Sequence, residues 1–300
     1  MDTGRQHAEF QENVVGASYA NLDLHYDAEG SALWYFMKHG DRPCFHHGLV
    51  EDIRDVQARI QGSLTGLALA DMPLKFLVFG SRSDDVFCMG GDLTLFAQLI
   101  RSGDAARLRD YAHGCIETLY PNSVGLNLPV VTVAFVRGDA LGGGFEAALG
   151  HDLIAAEAGS RFGLPEIVFN LFPGMGAYSF LARKLGGAMA ERMIRSGKVY
   201  SAEEMHELGV VDILLPAGEG EAALAKHLLK MRRQHPTLLA LRKARQRATP
   251  VAYEELIDIT DLWVETAMCL TEADLKRMER LAAAQVRRQA QMRQPMTAAA

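Results

Sequence analysis

Three observations predict an α/β fold for this chain. Short apolar runs rich in valine, isoleucine and phenylalanine alternate with segments that repeat apolar residues at helical spacing, as strands covered by helices do. The composition is that of a soluble globular protein, with 49% hydrophobic and 23% charged residues. From residue 219 onward the pattern is almost entirely helical. We therefore predict a core over residues 1–216, with residues 1–15 disordered, and a helical cap or oligomerisation segment over residues 217–300.

The first half of the predicted core alternates strands and helices. Residues 19–26 alternate apolar and polar side chains, and residues 32–36 return as the second strand of a hairpin. Helical spacing predicts a helix over residues 48–69. A buried strand over residues 74–80 precedes a loop to residue 91, and helices begin at Leu93 and Ala105. His46 and His47 suggest a metal site, but they lack a third spaced ligand, which favours loop or packing roles.

The second half of the core repeats the alternation. Apolar runs predict buried strands over residues 129–136, 152–156 and 210–216. Helices are predicted over residues 177–185 and 188–196. Another helix starts at Ser201, where a serine followed three residues later by Glu204 is a capping box. Residues 294–300 are predicted to be a disordered tail.

The charge pattern limits the possible partners. A net charge of −6 argues against nucleic acid, and no apolar run is long enough to span a bilayer. The N-terminus lacks the apolar segment of a signal peptide, and four scattered cysteines favour reduced thiols, so we expect a cytoplasmic protein. Basic residues cluster near the C-terminus, either as a solvated helix face or as a patch for an acidic partner. They are Arg242, Lys243, Arg245, Arg247, Arg287 and Arg288.

The residues that carry chemistry follow the strand at residues 129–136. Three glycines at residues 142–144 open a helix, Glu146 lies in its first turn, and Glu166 follows twenty residues later. Read as G-x-G-x-x-A with a distal acid, this spacing is the fingerprint of a dinucleotide site. That interpretation is weakened because Glu166 lies beyond the next strand. Glu146 would also bring negative charge to a pyrophosphate.

The same residues fit a thioester site better. Glycines let a substrate carbonyl approach the backbone, and N–H groups at a helix N-terminus carry partial positive charge. A second donor is available at residues 90–91, where another helix starts after a buried strand. Two such donors form an oxyanion hole, beside which Glu146 and Glu166 would transfer protons. The alternative is that each glutamate is an ordinary surface residue.

The chain resembles the crotonase (enoyl-CoA hydratase/isomerase) superfamily over residues 74–216. The matching motifs, in order, are FCMGGDL from residue 87, GDALGGGFE from residue 138, FGLPE from residue 162, PGMG from residue 173 and residues 197–211. The resemblance implies a spiral of stacked ββα units, a helical C-terminal segment and a trimer-based assembly. It also implies that the N–H groups of Gly91 and Gly143 form the oxyanion hole and that Glu146 and Glu166 are catalytic.

Within that superfamily the chain is most similar to the diffusible signal factor synthases of bacterial quorum sensing. Residues 42–45, residues 170–179 and the long helical tail with Trp263 carry this finer resemblance. It implies that a 3-hydroxyacyl chain on acyl carrier protein is dehydrated to a cis-2-enoyl thioester and hydrolysed to a free fatty acid. Met175, Trp263 and Leu281 are candidates for an apolar acyl tunnel, with ordinary core packing as the alternative.

Two other functions remain open. The two glutamates would equally serve a conventional enoyl-CoA hydratase acting on acyl-CoA, and a non-catalytic protein could bind a signalling partner such as a sensor kinase. The resemblance implies a homotrimer or a dimer of trimers. We expect no cofactor, no metal ion, no nucleic acid and no membrane partner.

Overall fold

The computed structural model describes residues 3–40 and 42–292, with side chains described from residue 7 to residue 284 except at position 41. This part of the chain contains ten strands in two sheets. The strands are β1 (Leu22–Asp27), β2 (Ala32–Met37), β3 (Phe76–Ser81), β4 (Val86–Cys88), β5 (Val131–Val136), β6 (Asp139–Leu141), β7 (Leu153–Glu157), β8 (Arg161–Gly163), β9 (Val199–Ser201) and β10 (Ile213–Leu215).

Twelve α-helices surround the sheets in the described residues. They are α1 (Thr3–Phe10), α2 (His47–Leu64), α3 (Leu93–Arg101), α4 (Ala105–Ser123), α5 (Gly143–Leu149), α6 (Ala177–Leu185), α7 (Gly187–Ser196), α8 (Ala202–Glu207), α9 (Gly220–Met231), α10 (His235–Ala248), α11 (Tyr253–Met268) and α12 (Glu272–Met292). The capping box predicted at the start of α8 is formed, with both Ser201 and Glu204 hydrogen-bonded to the backbone. Residues 220–292 contain no strand, as the helical pattern predicted.

The two sheets share a repeating unit. The larger sheet has the order β1-β2-β3-β5-β7-β10 and the smaller one β4-β6-β8-β9. Strands β3, β5 and β7 of the larger sheet are each followed by a short strand of the smaller sheet and then by a helix. Only β1–β2 and β8–β9 pair antiparallel among the described strands. The predicted α/β class is therefore confirmed, and the repeat is a ββα unit.

Strand β2 is apolar throughout because both of its faces are covered. Leu33, Tyr35 and Met37 belong to the main core, which includes the buried face of α2. Trp34 and Phe36 belong to a second core, closed by α9 and α10. A strand buried on both faces loses the alternation of a half-exposed strand.

The sequence prediction missed four short strands. Strands β4, β6, β8 and β9 each have three residues and lie in segments predicted as loops, turns or connections. Three residues are too few to establish a period of two, so only pairing across the small sheet defines these strands. The omission matters because β4, β6 and β8 lead directly into the residues predicted to be functional.

The N-terminus corrects the predicted disorder of residues 1–15. Residues 3–10 form α1, and a π-helical turn covers Gln11–Val15. Phe10 and Val14 are fully buried in the main core, and the Phe10 ring meets Tyr26 edge-on at 5.4 Å between centroids. These two buried apolar residues therefore pack the otherwise polar N-terminal segment against the main core. Residues 1–2 and the predicted disordered tail at residues 294–300 lie outside the described residues.

The two candidate metal-ligating histidines have structural partners. His46 Nδ1 accepts a hydrogen bond from Leu49 N at the start of α2, and His47 pairs with Glu51 one turn along. Within the described residues, no group of three or more His, Cys, Asp or Glu could hold a metal ion, and the four cysteines are free thiols. No helix in that part of the chain is both long and apolar enough to cross a membrane.

Candidate active site

Glu146 is held inside the protein by two backbone amides. It lies in the first turn of α5 and is 2% exposed. Its Oε1 accepts hydrogen bonds from Met175 N at 2.7 Å and Ala177 N at 3.0 Å. These donors lie at the end of the PGMG segment and at the start of α6. The carboxyl group therefore joins α5 to the loop that precedes α6, and its ionised form gains two hydrogen bonds.

Glu166 reaches the same region through the small sheet. Strand β8 pairs with β6, and Gly142 N donates to Gly163 O at 2.8 Å. Pro165 then starts a 3₁₀ turn that carries Glu166 toward Gly142. The backbone at Gly142 has φ +52°, which favours glycine, and a Cβ atom there would lie 2.6 Å from Glu166 Oε1 and would displace that carboxyl group. Glu166 Oε2 is buried and has no hydrogen-bond partner among the described residues.

Burial raises the pKa of both carboxyl groups. The pKa of Glu166 is raised by loss of solvent and by the nearby negative charge of Glu146. The pKa of Glu146 is also raised by burial, but its two backbone hydrogen bonds oppose that shift. The unpaired oxygen of Glu166 favours its protonated form, whereas the two backbone hydrogen bonds make Glu146 the more easily ionised of the two.

Two glycine turns bring backbone amides together. Strands β4 and β6 are parallel, so the turns after them lie at the same edge of the small sheet. A Cβ atom on Gly90 would lie 2.8 Å from Gly143 N, and one on Gly143 would lie 3.5 Å from Gly91 N. Gly143 is the first residue of α5, so its N–H has no acceptor within the helix. The two amides are close enough to serve one oxygen atom.

Tyr111 supports this pair from α4, a role that no sequence pattern indicated. Its hydroxyl group donates to Phe45 O and accepts from Asp92 N at 3.3 Å. Phe45 N in turn donates to Gly90 O at 2.8 Å. One phenol therefore ties residues 42–45 to the Gly91 turn. From the sequence, Tyr111 could be assigned only to a predicted helix, with no indication of these contacts.

All seven predicted site residues line one cavity of about 50 Å³, which we call the carboxylate cavity. They are Gly91, Gly143, Glu146, Glu166, Met175, Trp263 and Leu281. Residues that the sequence reasoning did not select complete the apolar part of the lining. These include Leu93, Phe96, Ala112, Phe169 and Leu171. The structure thus brings the predicted residues together, while their individual roles stay predictions.

Trp263 packs directly on the segment that holds Glu146. A Cβ atom on Gly174 would lie 2.3 Å from Trp263 Cγ, so the indole lies where a larger residue would have its side chain. Thr260 Oγ1 donates to Gly174 O at 2.7 Å, and the Trp263 ring meets Phe96 edge-on at 5.1 Å. Helix α11 is therefore fixed to the loop whose Met175 N binds Glu146.

This geometry does not favour the dinucleotide interpretation. A pyrophosphate at the start of α5 would approach both Glu146 and the Glu166 oxygen beside Gly142. Two carboxyl groups repel such an anion, whereas they are useful to a neutral acyl group that must lose and gain protons.

The fold and the carboxylate cavity together define an α/β protein of enzyme type, with two buried carboxyl groups beside paired backbone amides. Comparison with known proteins identifies the family to which this chain belongs. The chain belongs to the enoyl-CoA hydratase/isomerase family, whose model matches residues 68–262. Membership supports an enzyme of the hydratase or lyase type.

Curated relatives match over about half of the chain. The α subunit of the fatty acid oxidation complex from Pseudomonas syringae pv. tomato is 35% identical over 154 residues, which are 51% of this chain and 21% of that protein. Mitochondrial methylglutaconyl-CoA hydratase from Rattus norvegicus is 31% identical over 160 residues, 53% of this chain and 49% of that protein. The match thus spans half or less of each relative's length.

Solved structures share the fold over most of the chain. An enoyl-CoA hydratase from Bacillus halodurans has a TM-score of 0.71 at 21% identity, covering 87% of this chain and 100% of that one. Pseudomonas aeruginosa DspI has a TM-score of 0.65 at 24% identity, covering 78% and 92%. Identities this low establish the common fold alone.

Proposed function

We propose that this protein converts a 3-hydroxyacyl thioester on acyl carrier protein into a free cis-2-unsaturated fatty acid that serves as a quorum-sensing signal. The observation that carries the proposal is the carboxylate cavity itself. Its polar lining combines two glutamates that differ in their hydrogen bonds with two backbone amides, and most of the remaining lining is apolar. The similarity to signal synthases at residues 42–45 and 170–179 supports the choice of substrate.

The first chemical step is a dehydration. The thioester oxygen accepts hydrogen bonds from Gly91 N–H and Gly143 N–H, which stabilises the enolate formed when the C2 proton leaves. The ionised glutamate takes that proton, and the protonated glutamate gives its proton to the 3-hydroxyl group. The C3–O bond breaks, water leaves and the C2–C3 double bond forms. The two carboxyl groups exchange protonation states in the process.

The second step is hydrolysis of the thioester. An ionised glutamate removes a proton from water, and the water oxygen forms a bond to C1. The same pair of amides stabilises the tetrahedral oxyanion. The C1–S bond then breaks, and the sulfur leaves as the carrier's thiol after it gains the proton held by the glutamate. The products are the free unsaturated acid and unloaded acyl carrier protein.

The apolar part of this lining is proposed to hold the acyl chain. Met175, Trp263 and Leu281 line the cavity together with Phe96. Met175 Sδ lies against Gly143 and the Phe96 ring against Gly91, so the apolar side chains begin directly beside the two amides. A cavity volume of about 50 Å³ is room for only a few water molecules, at about 10–15 Å³ for each, so these side chains must move to admit a medium-length chain.

The assembly is proposed to be a homotrimer or a dimer of trimers. Three exposed apolar side chains, Ile167, Val168 and Val199, lie beside the turn that carries Glu166. Adjoining exposed apolar residues are typical of subunit contacts. Sedimentation velocity on the purified protein measures the assembly directly, and a monomer at micromolar concentration would contradict this part of the proposal.

The second candidate is a conventional enoyl-CoA hydratase, favoured by the names of the curated relatives and served equally by Glu146 and Glu166. Mass spectrometry of the purified enzyme with 3-hydroxydodecanoyl-acyl carrier protein separates the two. The signal synthase releases free cis-2-enoic acid. Rapid hydration of crotonyl-CoA with no free acid would instead identify the hydratase.

A third candidate is a non-catalytic protein that binds a signalling partner such as a sensor kinase. It predicts that Glu146→Ala and Glu166→Ala leave the biological effect intact. Complementation of a deletion strain with these variants tests it, because signal production by the synthase would be lost in both.

A further inference from the structure

A second cavity, of about 730 Å³, opens at the other end of α5. It lies between the end of α4, residues 127–129, helices α6 and α10, and the segment that joins α10 to α11. Five of its lining residues are basic, and none of the described lining residues is aspartate or glutamate. We call it the basic cleft. Its basic residues are Arg183, Lys184, Arg242, Lys243 and Arg245.

Carboxylates behind the wall neutralise only part of this charge. Three are paired, Asp152 with Arg242 and Arg245, Glu255 with Arg183, and Asp212 with Lys184. Lys243 is exposed and forms no ion pair with another described residue. Five cations against three carboxylates leave an excess of two positive charges. The basic cleft is therefore electrostatically suited to an anion.

His151 provides a buried acceptor in the same wall. It is 5% exposed, and its ring stacks on Phe79 with centroids 5.8 Å apart. Nδ1–H donates to Ala147 O at 2.8 Å, so the second ring nitrogen of the neutral ring is an acceptor. Burial lowers the pKa of His151 to about 4, which keeps the ring neutral. Nε2 has no partner among the described residues.

Arg242 provides a buried donor. Its side chain is 6% exposed, and its two terminal nitrogens donate to Val130 O and Leu128 O. Its Nε is buried and has no partner among the described residues. The residues that line the basic cleft thus include an unused N–H donor and an unused nitrogen acceptor, both shielded from solvent and both on side chains that packing holds in place. Unpaired buried polar atoms are costly unless something satisfies them.

We propose that the basic cleft binds a small organic anion, with its phosphate or carboxylate group against Lys243 and Arg242 Nε and a hydroxyl group that donates to His151 Nε2. Buried Leu149 and Phe180 supply an apolar wall for the body of the ligand. The volume is that of a site for a small molecule. An acidic protein surface fits less well, because the unpaired nitrogens lie below the surface. The proposal is independent of the chemistry assigned to the carboxylate cavity.

Isothermal titration calorimetry at constant ionic strength tests the proposal with two matched probes, 4-hydroxyphenyl phosphate and 4-hydroxybenzoate. We expect one saturable site per chain for at least one probe, and the tighter probe identifies phosphate or carboxylate as the natural group. Neutral 4-methylphenol should not saturate. Lys243→Ala should weaken binding about tenfold, because a charge-assisted hydrogen bond is lost. Lys230→Ala, an exposed charge on α9, should leave binding unchanged.

A second measurement reports on His151 without a substitution. In protein labelled with ¹⁵N at histidine, the Nε2 resonance of His151 should shift on addition of the bound probe, while that of exposed His227 should not. Failure of both probes to saturate would overturn the proposal. Equal weakening by Lys243→Ala and Lys230→Ala would do so as well. A change of oligomeric state in Lys243→Ala would overturn it too, because a second copy of the chain would then occupy the cleft.

Discussion

The polar and apolar parts of the carboxylate cavity's lining, which we call its polar and apolar walls, differ in how far the family match covers them. The polar wall is formed at β4, α5 and the 3₁₀ turn after β8, all within the residues that the family model matches. The apolar wall includes Phe96 and Phe169 inside that match, and Trp263 and Leu281 beyond residue 262, where it ends. The two glutamates therefore belong to the shared family core, whereas the C-terminal helices add apolar residues that the family model does not cover.

The walls also differ in the kind of contact that holds them. Glu146 and the glycine turns are fixed by backbone hydrogen bonds between buried elements. Helix α12 packs through buried Leu275 and Met278, which share one apolar cluster with Trp263. Arg101 of α3 also forms ion pairs with α12 at the surface, and exposed ion pairs contribute only about 0–1 kcal/mol. The polar wall is therefore held by directional hydrogen bonds and the apolar wall mainly by side-chain packing.

The largest expected effect comes from the polar wall. Glu146→Gln and Glu166→Gln should each lower kcat of dehydration by about 10²–10⁴, the usual contribution of one positioned acid or base. The fold should persist, because glutamine at position 146 can still accept from Met175 N and Ala177 N. Steady-state kinetics and circular dichroism check both points. Glu191→Gln, on the exposed surface of α7, is the matched control, and equal losses in all three variants would contradict the assignment.

A smaller effect is expected from the support behind the amides. Tyr111→Phe removes the hydroxyl group that joins Phe45 O to Asp92 N. We expect kcat to fall about tenfold with KM nearly unchanged, because an oxyanion donor acts mainly in the transition state. Steady-state kinetics separate the effect on kcat from the effect on KM. Tyr120→Phe, on the same helix, should leave both constants unchanged, and a fall confined to thermal stability in Tyr111→Phe would mean that the residue is only structural.

The apolar wall should control selectivity more than rate. Leu281→Phe narrows the cavity, so the ratio of kcat/KM for dodecanoyl over butanoyl substrates should fall about tenfold, the lower end of the range for one methylene group in an apolar pocket. Leu262→Phe is the control, because Leu262 is 56% exposed and next to Trp263 in sequence. A loss shared equally by short and long substrates would show that Leu281 does not contact the chain.

The last expected effect concerns folding stability and not catalysis, and it is a dependence of that stability on pH. Burial raises the pKa of Glu166 to about 8, above its unfolded value near 4.3. The contribution of Glu166 to the free energy of unfolding is therefore fully present below about pH 4.3 and is lost as the pH rises through the folded-state pKa. Urea unfolding should show the wild type losing about 1–3 kcal/mol more than Glu166→Gln between about pH 5 and pH 8. Glu191→Gln should follow the wild type. Parallel curves for all three would contradict the raised pKa.

Much of the polar wall could be predicted from sequence because its chemistry is local. Glycines at residues 142–144 and an acid in the next helical turn are a short-range pattern, and a run of glycines is typical of a turn where the backbone is approached closely. Tyr111 could not be predicted in this way. Its partners, Phe45 and Asp92, lie far from it in sequence and use a backbone carbonyl and a backbone amide, which leave no residue-type signature.

The basic residues near the C-terminus show the same limit. As a sequence cluster they suggested one helix face or one patch. In the structure Arg242 is buried, Lys243 and Arg245 line the basic cleft, and Arg247 is exposed outside its lining. The side chains of Arg287 and Arg288 lie outside those described. Which guanidinium group meets Asp152 depends on how α10 packs against the end of α5, and charge pattern alone carries no such information.

The α/β class, the glycine turns and the two glutamates all follow from the order of the residues, because each rests on periodicity or on a short motif that the local backbone obeys. Folding in three dimensions was needed to form the three-residue strands and to bring Gly91 and Gly143 face to face. It also set the state of the two carboxyl groups. Burial and an unpaired oxygen raise the pKa of Glu166, and neither can be read from a residue's neighbours in the chain. Strand pairing and solvent exclusion are long-range effects, so they appear only when the chain is folded.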